Sequence, residues 1–294
     1  MYIILFIFGL IIGSFLNVVS FRYQEGGRLL GSKSIGGRSH CPRCKHQLSW
    51  YELVPVLSFI IQKGKCRHCG GKISLQYPVV EILSGLIFVF VPYFLKINFL
   101  PFNFTSYFAI SYWLFVILWV LIFISFLLLS IIDFRLMIIP DQINFFLVVL
   151  GIILVFFEKK LNIFDSFGGG SFLGHYSLLL GFRSDILINR SAVVIFGIVF
   201  FGLIILISRG RGMGMGDLKL SIPLGLIFGW PDVLLIVTLA FVIGSVFSII
   251  LIISKGKRLK DAIPFGPFLV VGSAVVFFAG YAIVNGYFKL FGIV

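Results

Sequence analysis

The chain has 294 residues, of which 60% are apolar and 12% are charged, and its formal net charge is +13 at pH 7. This composition excludes an ordinary soluble domain, because runs of roughly 20 apolar residues, long enough to cross a bilayer, recur along the whole chain. The basic charge does not indicate a nucleic-acid partner, since the aromatic residues lie in the apolar runs and not among the basic ones. We therefore expect an all-α polytopic membrane protein.

Eight apolar runs are the predicted transmembrane helices. The first is interpreted as a retained span and not a cleaved signal peptide, because no basic segment precedes it and no small-residue cleavage site follows it. The fourth and sixth runs are short for a crossing, so we expect them to be tilted, shielded or extended by adjoining residues. The runs are approximately 2–21, 78–96, 106–132, 142–157, 192–208, 217–230, 233–253 and 267–286.

The distribution of basic residues predicts the orientation. If the polar segment 22–77 is cytoplasmic, eight spans place 133–141, 209–217 and 254–266 on the same side. Most of the 24 Lys and Arg residues then lie on that side, as the positive-inside rule requires. The long polar connection 158–191 is expected to face the other side of the membrane.

The segment 22–77 carries all four cysteines as two CxxC pairs. Such pairs are typical of a zinc ribbon, in which four thiolates fill a tetrahedral site and the metal is structural. Two disulfides are the alternative, which a reducing cytoplasm disfavours. A glycine-rich segment of this size is expected to need the metal for folding. The predicted ligands are Cys41, Cys44, Cys66 and Cys69, with His40, His46 and His68 as flanking loop residues.

Two aspartates, Asp133 and Asp217, stand at the ends of apolar runs where the chain otherwise avoids charge. An ionisable group at membrane depth is costly, so each is a candidate functional residue with an expected partner. Peptide hydrolysis near neutral pH needs one carboxylate to activate water and one protonated carboxyl group to polarise the carbonyl, and two adjacent carboxyl groups share a proton. The pair therefore predicts aspartic proteolysis at the cytoplasmic border of the membrane.

Asp217 ends the string Gly214-Met215-Gly216-Asp217, a GxGD pattern. Alone this pattern is weak, and a flexible loop with an N-capping aspartate explains it equally well. At a membrane border, Gly214 and Gly216 are expected either to let the backbone approach a substrate strand or to adopt positive φ. Asp141 follows Pro140 and is expected to be an N-cap and not a catalytic acid.

Several short blocks, in a fixed order along the chain, carry a family resemblance. They are Gly13–Val19 with Arg22, the two CxxC pairs, Trp50 with Pro55 and Ser58, Tyr77–Glu81, Asp133–Asp141, Gly214–Asp217 and Ile263–Phe268. With these blocks the chain resembles the bacterial type IV prepilin peptidases, a family of GxGD membrane aspartic proteases, over most of its length.

The resemblance implies that Asp133 and Asp217 are the catalytic pair and that the substrate is a prepilin or pseudopilin. It implies cleavage after the glycine of a short basic leader, on the cytoplasmic side of the bacterial inner membrane. It also implies N-methylation of the new terminus from S-adenosylmethionine. The expected partners are these substrates and membrane lipids, without nucleic acid.

Three parts follow from the pattern: a first transmembrane helix at 1–21, a cytoplasmic four-cysteine zinc-binding domain at 22–77, and a multi-span catalytic membrane domain at 78–294. Glu81 lies just inside the second span, where an uncompensated carboxylate is costly. Three roles stay open for it: pairing with a basic residue such as Lys219, holding the second span to the core, or contacting the methyl donor.

Other functions stay open as well. A single-activity GxGD protease without methyltransferase activity shares the aspartate motif, but the four cysteines argue against it. A non-enzymatic membrane component of pilus or secretion assembly explains the ribbon and leaves both border aspartates without a role. A transporter tends to show paired internal repeats with broken helices, and the sequence has no convincing repeat.

Overall fold

The computed structural model describes residues 1–29, 31, 36–99, 106–161, 171–180, 185–210, 212–255 and 263–292. Within these ranges the chain is helical, and its only β pairing consists of isolated bridges. This confirms the predicted all-α class. The helices are α1 Tyr2–Arg22, a 3-10 helix Trp50–Leu53, α2 Leu57–Ile61, α3 Gln76–Phe99, α4 Ser106–Leu136, α5 Asp141–Leu161, α6 Tyr176–Leu179, α7 Ile186–Ser208, α8 Met215–Phe228, α9 Asp232–Lys255 and α10 Gly266–Leu290.

Seven helices of the described chain are long and apolar enough to cross a membrane, namely α1, α3, α4, α5, α7, α9 and α10. The chain is therefore a multi-pass membrane protein. The remaining predicted span, the sixth run 217–230, corresponds to α8, which has 14 residues. At 1.5 Å per residue it is roughly 21 Å long, shorter than the hydrocarbon core of about 30 Å.

The chain divides into two compact units. Unit 1 contains Met1–Phe94 with Trp119–Leu128, and unit 2 contains Leu95–Leu118 with Leu129–Val294. Unit 1 therefore holds α1, the cysteine segment and most of α3. Unit 2 holds the C-terminal turns of α4 and all of α5 to α10.

In unit 1, small residues let α1 and α3 approach closely. A β-carbon added to Gly9 would lie 2.7 Å from Cα of Gly85, and one added to Gly13 would lie 2.7 Å from Cα of Glu81. Such contacts are typical of membrane helices that pack through glycine. Toward the C-terminal end of α1, the Asn17 side-chain amide donates a hydrogen bond to the Tyr77 carbonyl over 3.1 Å.

In unit 2, α7 and α8 pack antiparallel through glycines. A β-carbon on Gly197 of α7 would lie 3.0 Å from the Ser221 side chain of α8, and one on Gly225 of α8 would lie 3.0 Å from the backbone nitrogen of Val194. Extending this alignment places Asp217 level with residue 201 or 202 of α7. Since α7 continues to Ser208, Asp217 lies roughly 10 Å short of the end of that helix. The short α8 therefore begins inside the depth that its longer neighbour spans.

A buried charged cluster lies near the other end of the same helices. Arg190 and Glu158 form an ion pair with 2.9 Å between Nη2 and Oε2, and both side chains are almost fully buried. The fully buried Asp232 accepts hydrogen bonds from the Ser171 hydroxyl at 2.6 Å and from the backbone N–H of Phe172 at 3.1 Å. We call Glu158, Arg190, Asp232 and Ser171 the distal network. Counting along α7, it lies roughly 18 Å from the level of Asp217.

The connection 158–191, predicted to be a polar loop, is only partly described, because 162–170 and 181–184 lie outside the described residues. Its middle part, 171–180, is not a solvated loop. Phe172 packs against Phe277 with tilted rings, at 4.8 Å between ring centroids, and the Tyr176 hydroxyl donates a hydrogen bond to the Asn285 side-chain oxygen at 2.8 Å. This part packs beside Asp232, on the side of unit 2 away from Asp217, in agreement with the predicted direction.

Candidate active site and metal centre

Asp133 lies in the last turn of α4, which ends at Leu136, and its side chain is buried. The backbone N–H of Gly266, the first residue of α10, donates a hydrogen bond to its carboxylate. The two residues are so close that a β-carbon on Gly266 would lie 2.6 Å from Oδ2 of Asp133. Any larger residue at position 266 would therefore occupy the place of the carboxylate.

Asp217 is the third residue of α8 and is also buried. Its carboxylate accepts a hydrogen bond from the backbone N–H of Gly214, the N-cap of the helix. The carboxyl groups of Asp217 and Asp133 are near enough for their charges to interact. The structure thus brings together, within unit 2, the two acids that the sequence singled out 84 positions apart.

Ile139 lies between the segments that carry the two acids. Its Cβ would be 3.1 Å from a β-carbon on Gly216, and its Cδ1 would be 3.2 Å from one on Gly266. The two carboxyl groups are thus set in a tightly packed and largely apolar surrounding. In such a place two carboxyl groups resist ionising together and share a proton, which supplies one acid and one base.

The two glycines of the GxGD string differ in the space around them. Gly214 has φ −84°, and Gly216 is inside α8 and is absent from the described positive-φ glycines, so the expectation of positive φ is wrong. Gly214 has room for a β-carbon, which would make only ordinary van der Waals contacts, at 3.9 Å from the backbone nitrogen of Gly216 and 4.0 Å from Oδ2 of Asp217. A β-carbon on Gly216 has no such room, because Ile139 lies directly against that position.

Asp141 is the first residue of α5, one position later than an N-cap. Its carboxylate accepts a hydrogen bond from Nζ of Lys219 at 2.6 Å, and both side chains are exposed. An acid in the first turn still interacts favourably with the helix dipole, so the structural interpretation of Asp141 fits its position. Lys219, one of the residues considered as a partner of Glu81, contacts Asp141.

Glu81 in unit 1 is buried, and its carboxylate has two partners. It accepts hydrogen bonds from the backbone N–H of Val56 at 2.7 Å and from the Ser14 hydroxyl. Val56 has φ 60°, a strained conformation for a β-branched residue. Glu81 therefore links the chain before α2 to the second span, and the choice among its three predicted roles stays a prediction.

The four cysteines form one cluster, in which the sulfur atoms all lie within 4.8 Å of one another. The two CxxC segments have the same local structure. The backbone N–H of Lys45 bonds to the Cys41 carbonyl and that of Gly70 bonds to the Cys66 carbonyl, each at 2.9 Å, and both residues four positions after the first cysteine have positive φ. The structure therefore confirms that two matching turns bring the four thiols together.

This cluster fits a metal ion. Tetrahedral coordination with metal–sulfur bonds of about 2.3 Å separates the sulfur atoms by about 3.8 Å. The Cys41 and Cys69 sulfurs are 4.0 Å apart, and all four cysteines are free of disulfides. A hydrogen bond from the backbone N–H of Cys44 is the main cause that lowers the pKa of the Cys41 thiol to about 7, which favours the thiolate that a metal needs. The histidines stay outside this cluster, where His46 and His68 stack on each other at 4.4 Å.

Removing one of these thiols is expected to release the metal. Cys41→Ser or Cys66→Ser should lower bound metal from one ion per chain to a trace and make segment 22–77 sensitive to protease, because four thiolates hold the ion and the ion holds the segment. His68→Ala is the matched control and should retain the ion. Elemental analysis and limited proteolysis measure both effects. An active sample with two intact disulfides and neither zinc nor iron would contradict the assignment.

Two residues of the site could not be assigned a role from the sequence. Gly266 belongs to the block Ile263–Phe268, but nothing in that block says that its N–H meets Asp133. Ile139 reads as an ordinary apolar residue before Pro140. Gly266 begins a helix, and Ile139 lies a few residues after Asp133. Either position suggests a role only when the helix that packs against it is known.

Comparison with known proteins agrees with this arrangement. Residues 7–95 match the family described as bacterial peptidase A24 N-terminal domain, and residues 119–249 match the type IV leader peptidase family. A prepilin leader peptidase/N-methyltransferase of Bacillus subtilis is 31% identical, with 98% of each chain covered. One of Vibrio cholerae is 32% identical over 95% of this chain and 97% of that protein.

A third relative with the same name, from Aeromonas salmonicida, is 30% identical over 97% of this chain and 92% of its own. No solved structure gives a significant match. Identity at this level over nearly the full length, together with the matches in both halves of the chain, shows the family. The chain belongs to the type IV leader peptidase family.

Proposed function

We propose that this protein is a membrane-embedded aspartic endopeptidase that removes the leader of type IV prepilins or pseudopilins and then methylates the new amino terminus. The buried pair of Asp133 and Asp217 is the observation that carries the proposal. The names of the relatives support the substrate class and the second activity. The site faces the cytoplasm of a bacterial inner membrane, as the distribution of basic residues favours.

The two carboxyl groups divide the hydrolysis between them. The ionised carboxylate takes a proton from a water molecule, whose oxygen attacks the scissile carbonyl carbon, while the protonated carboxyl group gives its proton to the carbonyl oxygen. As the carbon–nitrogen bond breaks, the leaving nitrogen receives a proton and the leader keeps the new carboxylate. Burial of Asp133 and Asp217 strengthens these interactions by excluding bulk water.

The depth of Asp217 suits a substrate that arrives through the bilayer. The hydrophobic helix that follows the leader partitions into lipid and packs beside the spans, which brings the scissile bond to a site roughly 10 Å inside the end of α7. The basic face of the enzyme does not attract a basic leader, so recognition rests mainly on the apolar helix. Anionic lipid headgroups hold the leader near the membrane.

Two bound groups complete the proposal. Zinc is held by Cys41, Cys44, Cys66 and Cys69, which fill its coordination sphere and make it structural. S-adenosylmethionine, when bound, supplies the methyl group that replaces a proton on the new terminal amine. Its expected contact in this chain is Glu81 of unit 1.

Mixing the purified protein in detergent with a prepilin tests the cleavage directly. Mass spectrometry should show loss of the leader at the peptide bond after its glycine. An intact prepilin after prolonged incubation with a folded enzyme would contradict the proposal.

Glu81→Gln is expected to separate the two activities. The amide keeps an oxygen that accepts from the Val56 N–H, so the structural contact stays while the negative charge is lost. If that charge contacts the methyl donor, methylation should fall by roughly tenfold or more while leader cleavage in the same sample stays near wild type. Equal loss of both activities, or of neither, would show that Glu81 is only a structural residue. Ser58→Ala, in α2 two residues after Val56, is the control and should leave both activities near wild type.

Gly266→Ala is expected to slow cleavage much more than Gly214→Ala. The added methyl group at 266 collides with the Asp133 carboxylate, and a misplacement of about 1 Å costs roughly 100-fold in rate. The methyl group at 214 makes only ordinary van der Waals contacts, so that variant should stay within a few-fold of wild type. Cleavage rates of the two purified variants provide the comparison, and equal rates would contradict the described contact.

A further inference from the structure

Residues 50–61 of unit 1, which we call the amphipathic segment, present apolar side chains to the outside. The segment comprises the 3-10 helix and α2. Trp50 is 79% exposed, and Ile60 is 64% exposed. Exposed apolar surface of this extent on a small module marks an interaction site. Its exposed members are Trp50, Tyr51, Leu53, Leu57, Ile60 and Ile61.

The segment packs beside the start of a membrane-spanning helix. The backbone N–H of Val56, in its middle, bonds to Glu81, the sixth residue of α3. Glu81 is therefore roughly 8 Å along α3 from its first residue. Because α3 is one of the seven membrane spans, this hydrogen bond places the segment beside the first two turns of a helix that enters the bilayer.

The charges around the segment are those of a membrane-surface element. Lys63, Lys65 and Arg67 follow α2 directly, and the Arg67 guanidinium lies over the Tyr51 ring at 5.4 Å. The one acid within the segment, Glu52, is held by the backbone N–H of Ser49 at 2.9 Å. In the whole of 22–77 only Glu25 and Glu52 are acidic, against ten basic residues. This balance is complementary to an anionic surface.

We propose that the amphipathic segment is a monotopic anchor that lies in the boundary between headgroups and acyl chains, at the membrane face where α1 ends and α3 begins. Its partner is a bilayer that contains anionic phospholipid. Tryptophan, tyrosine and aliphatic side chains enter this boundary, while the neighbouring lysine and arginine side chains reach the headgroups. The anchor fixes the height of the cysteine cluster at the membrane surface. The inference does not depend on the proposed catalytic activity.

Tryptophan fluorescence in nanodiscs tests this proposal. The chain has four tryptophans, so the signal of Trp50 is obtained as the difference between the wild-type protein and Trp50→Phe. Trp113, exposed on the membrane-spanning helix α4, provides the control for lipid access through Trp113→Phe. Quenching is measured with lipids brominated near the headgroup end of the acyl chain and, separately, with aqueous iodide.

The Trp50 signal is expected to be quenched by the brominated lipid and protected from iodide. Replacing zwitterionic by partly anionic lipid should increase the lipid quenching, and Lys63→Gln with Lys65→Gln should remove that increase. Leu57→Gln with Ile60→Gln should lower lipid quenching while metal content stays unchanged. A Trp50 signal that iodide quenches and brominated lipid does not would overturn the proposal and leave this surface as a docking face for another protein.

Discussion

Asp133→Asn and Asp217→Asn are each expected to abolish leader cleavage, with a loss of roughly 10⁴-fold in rate. Asparagine has nearly the same shape and keeps an oxygen that accepts from the Gly266 or Gly214 N–H, so folding and insertion should persist. It cannot take a proton from water or give one to the carbonyl, which removes one of two non-redundant roles. Cleavage rates of purified, folded variants measure the effect.

Two controls separate catalysis from general damage. Asp141→Asn changes an exposed acid that pairs with Lys219, and it should stay within a few-fold of wild type. The double variant of Asp133 and Asp217 should be little worse than either single variant, because residues that act as a unit are not additive. If either single variant cleaved at a near wild-type rate, these aspartates would not be the catalytic pair.

Arg190→Met is expected to destabilise unit 2 by about 3–5 kcal/mol, since removing one partner of a buried ion pair leaves an uncompensated charge. In the distal network, both Glu158 and Asp232 interact electrostatically with this guanidinium. Methionine has a similar length and would leave both carboxyl groups without a nearby cation. Thermal unfolding of the protein in detergent measures the loss.

The control is the double change Glu158→Met with Arg190→Met. Replacing both members of a buried pair by apolar residues of similar size is often neutral, so the part of the loss that comes from Glu158 should return, while Asp232 still lacks the guanidinium. Lys219→Met, which breaks the exposed pair with Asp141, should cost no more than about 1 kcal/mol. A single Arg190→Met variant as stable as wild type would show that the distal network is not a stabilising element.

Local patterns predicted much of the molecule. Apolar runs identify the membrane helices because the length and hydropathy of a run are properties of that run alone. The cysteine spacing identifies the cluster because each turn that holds two cysteines is built from neighbouring residues. Asp133 and Asp217 stand out because charge is rare where they occur. Their catalytic role remains a prediction, to be decided by the variants.

Other features depend on contacts between distant segments. The depth at which α8 begins follows from Gly197 and Gly225 at the packing surface with α7, and no property of 217–230 alone indicates it. The same holds for Gly266 beside Asp133 and for Ser171 beside Asp232. Residues 171–180 read as part of a polar loop because the apolar partners that bury Phe172 and Tyr176 lie in α8 and α10.

The most direct test of the two-carboxylate account follows the oxygen and carbon atoms of the scissile bond. A prepilin is cleaved by the purified enzyme in water enriched in the heavy oxygen isotope, with hydroxylamine present, and the released leader is weighed by mass spectrometry. Direct attack by water predicts a leader with a free carboxylate that contains one heavy oxygen and no hydroxamate. A leader hydroxamate would reveal an acyl-enzyme intermediate and contradict the roles assigned to Asp133 and Asp217.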